Sequence, residues 1–150
     1  MQKDFKLKKA INDDLLPSFE IRKNAMLQYI EASKGWNEEE EMKQHVEDFD
    51  TDVMQMIIAD GKPVGVLETV SGDGILEVHG IYIIEEYQNF KIGSRIMTGL
   101  IRKASSKKST LILQVLKVNT RAKEFYLKLG FKIQREDEFY FKMIYKPVEK

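Results

Sequence analysis

Residues 111–116, Leu-Ile-Leu-Gln-Val-Leu, carry apolar side chains on both faces of an extended segment. Side chains of a strand alternate between two sides, so a strand that is apolar on both belongs inside a sheet with packed layers above and below it. Upstream, Ile92, Ile96, Met97, Leu100, Ile101 and Ala104 recur at helical spacing over residues 91–105. Before that helix, residues 75–84 read as another strand. Such a strand–helix–strand crossover places its two strands parallel and adjacent or nearly so. The chain is thereby committed to a sheet with at least one parallel pair.

The flanking segments extend this frame. Phe5, Leu7 and Ile11 suggest a first strand. Asp13 and Asp14 are suited to cap a helix, and Pro17 fits its first turn. Phe19, Ala25, Met26, Tyr29 and Ile30 then repeat at helical spacing, with Gly35 as the stop. Met42, Val46 and Phe49 mark a second helix, opened by the acidic run at residues 38–41, which offsets the helix dipole. Residues 53–59 and 63–70 form a hairpin around Asp60-Gly61-Lys62, and the turn at residues 71–74 leads into the strand at 75–84. These three strands make an antiparallel meander. A helix over residues 120–129 turns Ala122, Phe125, Tyr126 and Leu129 inward and ends at Gly130. Residues 131–146 read as a closing hairpin that turns near residues 136–138. The predicted order is β-α-α-β-β-β-α-β-α-β-β. It describes an α/β fold, one mixed sheet with helices on both faces, in a single domain over residues 1–150. Ligands of open α/β sheets bind beyond the carboxyl ends of strands near the switch in order, which directs attention to the segment after Ile84.

Composition narrows the function classes. Twenty-four basic and 24 acidic residues balance to a formal charge of zero, and no basic stripe points to nucleic acid. With no cysteine, disulfides, thiolate metal sites and a cysteine nucleophile are excluded. His45 and His79 form no ligand-spaced motif, so no metal is expected. No stretch is apolar enough to span a bilayer, and the first residues lack the apolar run of a leader, so a cytoplasmic location is expected.

Two segments carry the chemistry. Residues 81–94, Ile-Tyr-Ile-Ile-Glu-Glu-Tyr-Gln-Asn-Phe-Lys-Ile-Gly-Ser, pass from a strand straight into a helix. The first turn of a helix offers free N–H groups and the positive end of its dipole, and phosphate binds there readily. Gly93 lets such a group approach the backbone. The second segment begins at Asn119, in itself a helix N-cap, and contains Tyr126, in itself a core aromatic with a wet hydroxyl.

Together these segments resemble the GNAT superfamily of N-acetyltransferases. The family pattern of Gln or Arg, two residues, Gly, one residue, then Gly or Ala is matched, but for one position, by Gln88-Asn89-Phe90-Lys91-Ile92-Gly93. The pattern Asn-x-x-Ala-x-x-Phe-Tyr-x-x-x-Gly-Phe is met by Asn119, Ala122, Phe125, Tyr126, Gly130 and Phe131. Residues 76–83 look like the family's fourth strand. The predicted element order agrees with the GNAT fold along essentially the whole chain. One position departs: Lys91 stands where the family has its first Gly, and a side chain there opposes a positive φ, while adding a cation beside a phosphate.

The resemblance implies an enzyme that binds acetyl-coenzyme A as co-substrate and passes its acetyl group directly to an amine of a small molecule or peptide. The N–H groups of Asn89, Phe90, Lys91, Ile92, Gly93 and Ser94 would cradle the pyrophosphate, with Gln88 bracing the loop. Ile83 would grip the pantetheine arm through its main chain and polarise the thioester carbonyl with its N–H. Leu116 to Val118 would line the split between strands that admits the arm. Tyr126 would be the acid beside the sulfur, and Asn119 would orient the co-substrate or a water. Glu77 is the expected base, with His79 the other candidate; both alternate onto one strand face, together with Ile81 and Ile83. The acceptor pocket is expected between the two N-terminal helices, walled by Trp36 and bordered by His79. The acidic run at residues 38–41 would draw a cationic amine such as a polyamine. Pairing through the C-terminal strands, frequent in the family, would make a homodimer. A silent acetyl-coenzyme A-binding module is the alternative, on the strength of Lys91. A hydrolase is disfavoured because no G-x-S-x-G elbow is present and Ser94 has no adjacent base.

Overall fold

The computed structural model describes residues 2–147. Its strands are β1 (Lys6–Lys9), β2 (Met54–Ala59), β3 (Lys62–Gly72), β4 (Ile75–Ile83), β5 (Thr110–Leu116), β6 (Lys132–Glu136) and β7 (Tyr140–Tyr145). Its helices are α1 (Leu15–Ser33), α2 (Glu38–Asp48), α3 (Ile92–Ser106) and α4 (Thr120–Leu129). The order matches the one expected from the sequence. The strands form one seven-stranded sheet, β1-β2-β3-β4-β5-β7-β6. All neighbours are antiparallel except β4 and β5, the two ends of the crossover.

The turn chemistry accounts for the meander. Asp60 and Gly61 take φ values of 53° and 74°, and Asp73 and Gly74 take 46° and 76°. Two successive positive φ values match the right-handed twist of the flanking strands, and Asp-Gly adopts them cheaply. Helix α1 stops at Gly35, φ 81°, whose N–H returns to the Ile30 carbonyl at 2.9 Å. Helix α4 stops at Gly130, φ 107°, and the Phe131 N–H returns to Tyr126 at 3.0 Å. Both are left-handed caps that satisfy last-turn carbonyls.

The larger core lies between the sheet and helices α3 and α4, where Ile96, Met97, Leu111, Leu113, Phe131 and Met143 are buried. Each such side chain contributes about 1.5–3 kcal/mol by leaving water. A smaller cluster of Ile21, Met54, Met56 and Val66 packs under α1 on the other face.

Two expectations are corrected. In α2 the inward position is His45, not Val46, which is 52% exposed. The His45 ring sits edge-on to Phe19 at 5.4 Å, and its Nε2 lies 3.0 Å from the Leu15 carbonyl and 2.9 Å from Ser18 Oγ. A carbonyl only accepts, so this nitrogen carries the proton and pins α2 to α1. The second correction concerns β4. Glu68 faces Gly80, but Thr69 faces Val78, so His79 is an extra residue bulged out of the ladder. A bulge reverses the alternation beyond it. Glu77 and His79 therefore lie on the α1–α2 face of the sheet, while Ile81 and Ile83 pack into the opposite core.

Candidate active site

Pairing between β4 and β5 runs from Ile75 with Thr110 to Val78 with Leu113 and goes no further. Beyond that point β5 continues to pair with β7 as far as Leu116. The two parallel strands thus part, and a channel of about 210 Å³ passes between them, bounded by Gly80, Ile81, Leu116, Asn119 and Tyr126.

On the α3–α4 face the channel opens into a cleft of about 470 Å³. Ile83, Gln88, Asn89, Lys91, Ile92, Gly93, Ser94, Asn119 and Tyr126 all line it. Phe90 does not: its ring lies 6.4 Å from that of Tyr87, under the Lys3 ammonium. The loop before α3 is left-handed at Asn89, φ 72°, and at Lys91, φ 64°. Left-handed residues beside right-handed ones turn successive N–H groups toward one concavity, an anion-binding arrangement, and the helix dipole adds to it. A Cβ at Gly93 would meet Ile83 Cδ1 at 3.5 Å, an ordinary contact. The loop's N–H groups and the cleft beside them fit a phosphate-bearing chain running from the helix toward β4.

The loop is braced from two sides. Gln88 donates its amide to the Ile83 carbonyl at 2.8 Å and accepts from Arg121 at 3.1 Å. Arg121 also donates to the Asn89 side chain. The Ile84 N–H is bonded to Val64, so by antiparallel alternation the Ile83 N–H points away from β3, toward the open side. Asn119 caps α4 by accepting from the Ala122 N–H at 3.1 Å. Tyr126 is 7% exposed. Burial, with the Tyr82 phenol beside it, holds its hydroxyl protonated far above the usual range.

On the α1–α2 face the channel opens into a second pocket of about 680 Å³. Glu41, Asp48, Asp50, Glu68, Glu77 and His79 are on its wall. The His79 Nε2 lies 3.3 Å from Glu77 Oε1, both side chains being nearly half exposed. Arg22 is bonded to Glu41 at 2.7 Å. Tyr82 borders both pockets and the channel. Gly80 makes room for its ring, since a Cβ there would lie 2.7 Å from it. Trp36 stands outside this wall. It packs against Phe19 at 6.1 Å and lies 5.7 Å from the Arg22 guanidinium, while its Nε1 donates to Glu38 at 2.8 Å. Of residues 38–41 only Glu41 reaches the pocket.

Sequence reasoning missed Arg121, Tyr82 and Arg22. Arg121 lies inside the second motif, but nothing in its spacing shows which loop it holds.

A sheet whose central parallel strands part, with a helix N-terminus on one side of the split and a buried tyrosine at its mouth, defines an acyl-coenzyme A-dependent transferase. The acetyltransferase (GNAT) family model matches residues 19–131, and the chain belongs to that family. It is an acyltransferase of the N-acetyltransferase type that uses acetyl-coenzyme A as co-substrate. No curated protein matches it in sequence. Many solved structures share its fold, among them the three that follow. The PaiA N-acetyltransferase from Thermoplasma acidophilum, in complex with coenzyme A, is 21% identical with a TM-score of 0.76, over 95% of this chain and 99% of that one. The ribosomal-protein-S18-alanine N-acetyltransferase from Escherichia coli is 17% identical, TM-score 0.74, over 98% and 96%. Naa50 from Arabidopsis thaliana, in complex with the bisubstrate analogue CoA-Ac-MVNAL, is 15% identical, TM-score 0.66, over 95% and 98%.

Proposed function

We propose that this chain, in the cytoplasm, moves the acetyl group of acetyl-coenzyme A directly onto an amine of a small molecule or peptide. The observation that carries this reading is the continuity of the channel with both pockets. It shares Asn119, Ala122 and Tyr126 with the coenzyme cleft, and His79, Gln114 and Arg22 with the acidic pocket. Donor and acceptor can therefore enter from opposite faces of the sheet and meet between β4 and β5.

An amine arrives as an ammonium ion and must lose a proton before it can attack. Glu77 takes that proton, directly or through His79, whose ring nitrogen touches it and which itself borders the channel. The nitrogen lone pair then forms a bond to the thioester carbonyl carbon. The Ile83 N–H faces the oxygen on which charge develops. The carbon–sulfur bond breaks as Tyr126 passes its proton to the departing sulfur, and the second proton of the nitrogen passes, directly or through water, to the Tyr126 oxygen, so the thiol leaves and Tyr126 ends protonated. The left-handed Lys91 leaves the loop geometry in place, which favours turnover over a silent binding module. Strand β6 forms one of the two sheet edges, with Ile133 43% exposed, and supports pairing of two copies through the C-terminal strands.

The test is thiol release from acetyl-coenzyme A in the presence of an amine panel, with the acetylated amine identified by mass spectrometry. The chain has no cysteine, so it adds no thiol background. Acetylated amine in step with free thiol is expected. Coenzyme A binding with no turnover on any amine would return the silent module.

A further inference from the structure

Tyr82 is, among the described residues, the one that borders coenzyme cleft, channel and acidic pocket alike. No step of the reaction above uses it. Its placement follows from β4. Ile81 and Ile83 pack into the core under α3 and α4, so Tyr82 between them projects to the α1 side, where it packs on Met54, Met56 and Val66. The ring folds back over Gly80: a Cβ on that glycine would lie 2.7 Å from Tyr82 Cε2 and 2.9 Å from both Cζ and the hydroxyl oxygen. Gly80 is itself a wall of the channel, just beyond Val78, where β4 and β5 cease to pair. The end of the phenol ring therefore stands where the two strands part.

The ring is also anchored there. Burial raises the pKa of the phenol, and Arg22 opposes the shift both as a charge and as a hydrogen-bond donor. Arg22 is in turn fixed to Glu41 at 2.7 Å. A ring seated on its own strand, packed on a core cluster and held at its hydroxyl keeps its place when a ligand arrives.

The donor meets this ring end-on. The thioester enters from the coenzyme cleft with its carbonyl toward the Ile83 N–H, and the acyl tail continues through the split toward the α1 side. The channel encloses about 210 Å³, a space that has to take the thioester, the acyl group and the attacking nitrogen together.

We infer that Tyr82, its ring set over Gly80 at the split between β4 and β5, selects the donor by length: an acetyl group ends short of the ring, and a longer acyl tail collides with it. Forcing extra methylenes against a fixed, packed side chain is unfavourable, and one methylene decides about tenfold or more between substrates. The inference rests on the acyltransferase reading above and goes further by assigning donor selection to one side chain.

The experiment uses the full chain. Titration calorimetry gives its affinity for coenzyme A and for acetyl-, propionyl- and butyryl-coenzyme A, a readout that needs no acceptor. Butyryl-coenzyme A binds the parent roughly tenfold more weakly than acetyl-coenzyme A. In Tyr82→Leu and Tyr82→Ala that gap narrows to about twofold or less, with coenzyme A itself bound as in the parent, whereas Tyr82→Phe, which keeps the ring, keeps the parent's gap. Melting curves identify the variants that are folded, and leucine keeps apolar bulk against Met56 and Val66 should alanine not fold. Equal affinity for acetyl and butyryl donors in the parent, an unchanged gap in Tyr82→Leu, or a gap lost in Tyr82→Phe would overturn the assignment and leave the acyltransferase reading intact. That reading fails separately, if no donor yields an acylated amine with butylamine, 1,4-diaminobutane or a short peptide bearing a free N-terminus, and the affinity series still decides the role of Tyr82.

Discussion

Gln88 donates its side-chain amide to the carbonyl oxygen of Ile83 at 2.8 Å. The bond ties the loop that cradles phosphate to the strand that faces the thioester, so one residue sets the distance between the two ends of the coenzyme site. Losing a single neutral hydrogen bond of this kind costs about 1 kcal/mol, or about fivefold in affinity. Gln88→Ala accordingly weakens acetyl-coenzyme A binding about fivefold, measured by titration calorimetry, with the melting temperature of the free protein nearly unchanged. Unaltered affinity would mean that Arg121 and the backbone hold the loop alone.

Tyr126→Phe removes only the hydroxyl from a side chain that otherwise packs against Phe125 and Phe131, with ring centroids at 5.1 Å and 5.5 Å. The fold and the coenzyme cleft remain. Turnover falls roughly a hundredfold, the scale of a lost acid, while acetyl-coenzyme A affinity holds within about twofold. Steady-state kinetics beside a binding titration separate the two. Parent-like turnover removes Tyr126 from the chemistry.

Lys91 adopts φ 64° without a side-chain cap. A non-glycine residue in this region is strained by about 1 kcal/mol. Lys91→Gly therefore raises stability by about 0.5–1 kcal/mol, read by urea denaturation. It also removes a cation from the coenzyme cleft, so acetyl-coenzyme A affinity becomes less sensitive to salt. A lower stability would show that the lysine side chain holds the loop in a way its backbone geometry does not reveal.

The order of elements was legible because local chemistry punctuates the chain. Asp60-Gly61 and Asp73-Gly74 could form only the tight turns they form, and Gly35 and Gly130 stop helices where left-handed caps were expected. The coenzyme half of the site was legible for the same reason: residues 88–94 are contiguous, and all but Phe90 line one cleft. The acceptor half was not. It is assembled from β3, β4 and the end of α2, which no spacing relates. The bulge at His79 leaves no trace in the pattern of residues 75–84, yet it moves Glu77 and His79 to the face opposite Ile81 and Ile83. The acidic run at residues 38–41 looked like the charged wall, but the wall is built mainly by Glu68, Glu77, Asp48 and Asp50. His45 took the inward position given to Val46 because an imidazole can bond the Leu15 carbonyl while packing edge-on to Phe19, which valine cannot.

Glu68 bears on stability through its burial. Its folded pKa is raised above the ordinary 4.5 by burial, so the folded state favours the neutral acid. Its stabilising contribution is present below that ordinary value and is lost as pH rises through the raised one. Glu68→Gln escapes this loss. The variant melts above the parent near neutral pH, and the gap closes on acidification below about 4.5. A gap that persists in acid would assign the effect to packing.

His45 runs the other way. Burial lowers its pKa below 6.5, the Leu15 hydrogen bond opposes the shift, and Arg22 and Asp48 act with opposite signs. A lowered folded value means stability that is present above 6.5 and lost as pH falls through it. His45→Gln keeps a donor for Leu15 and removes the titration, so its melting temperature declines less than the parent's between about pH 7 and about pH 5. Parallel declines would place the acid sensitivity elsewhere.

The coenzyme site is the claim on which the rest depends, and thermal unfolding with acetyl-coenzyme A, coenzyme A and ATP tests it most directly. A ligand that binds only the folded state adds about 2.7 kcal/mol at a hundredfold excess over its dissociation constant. Both coenzymes raise the melting temperature, and ATP, which has phosphates but no pantetheine arm to enter the split beside Ile83, does not. Equal shifts with all three would reduce the site to a general phosphate cradle, and no shift with either coenzyme would contradict a coenzyme site here.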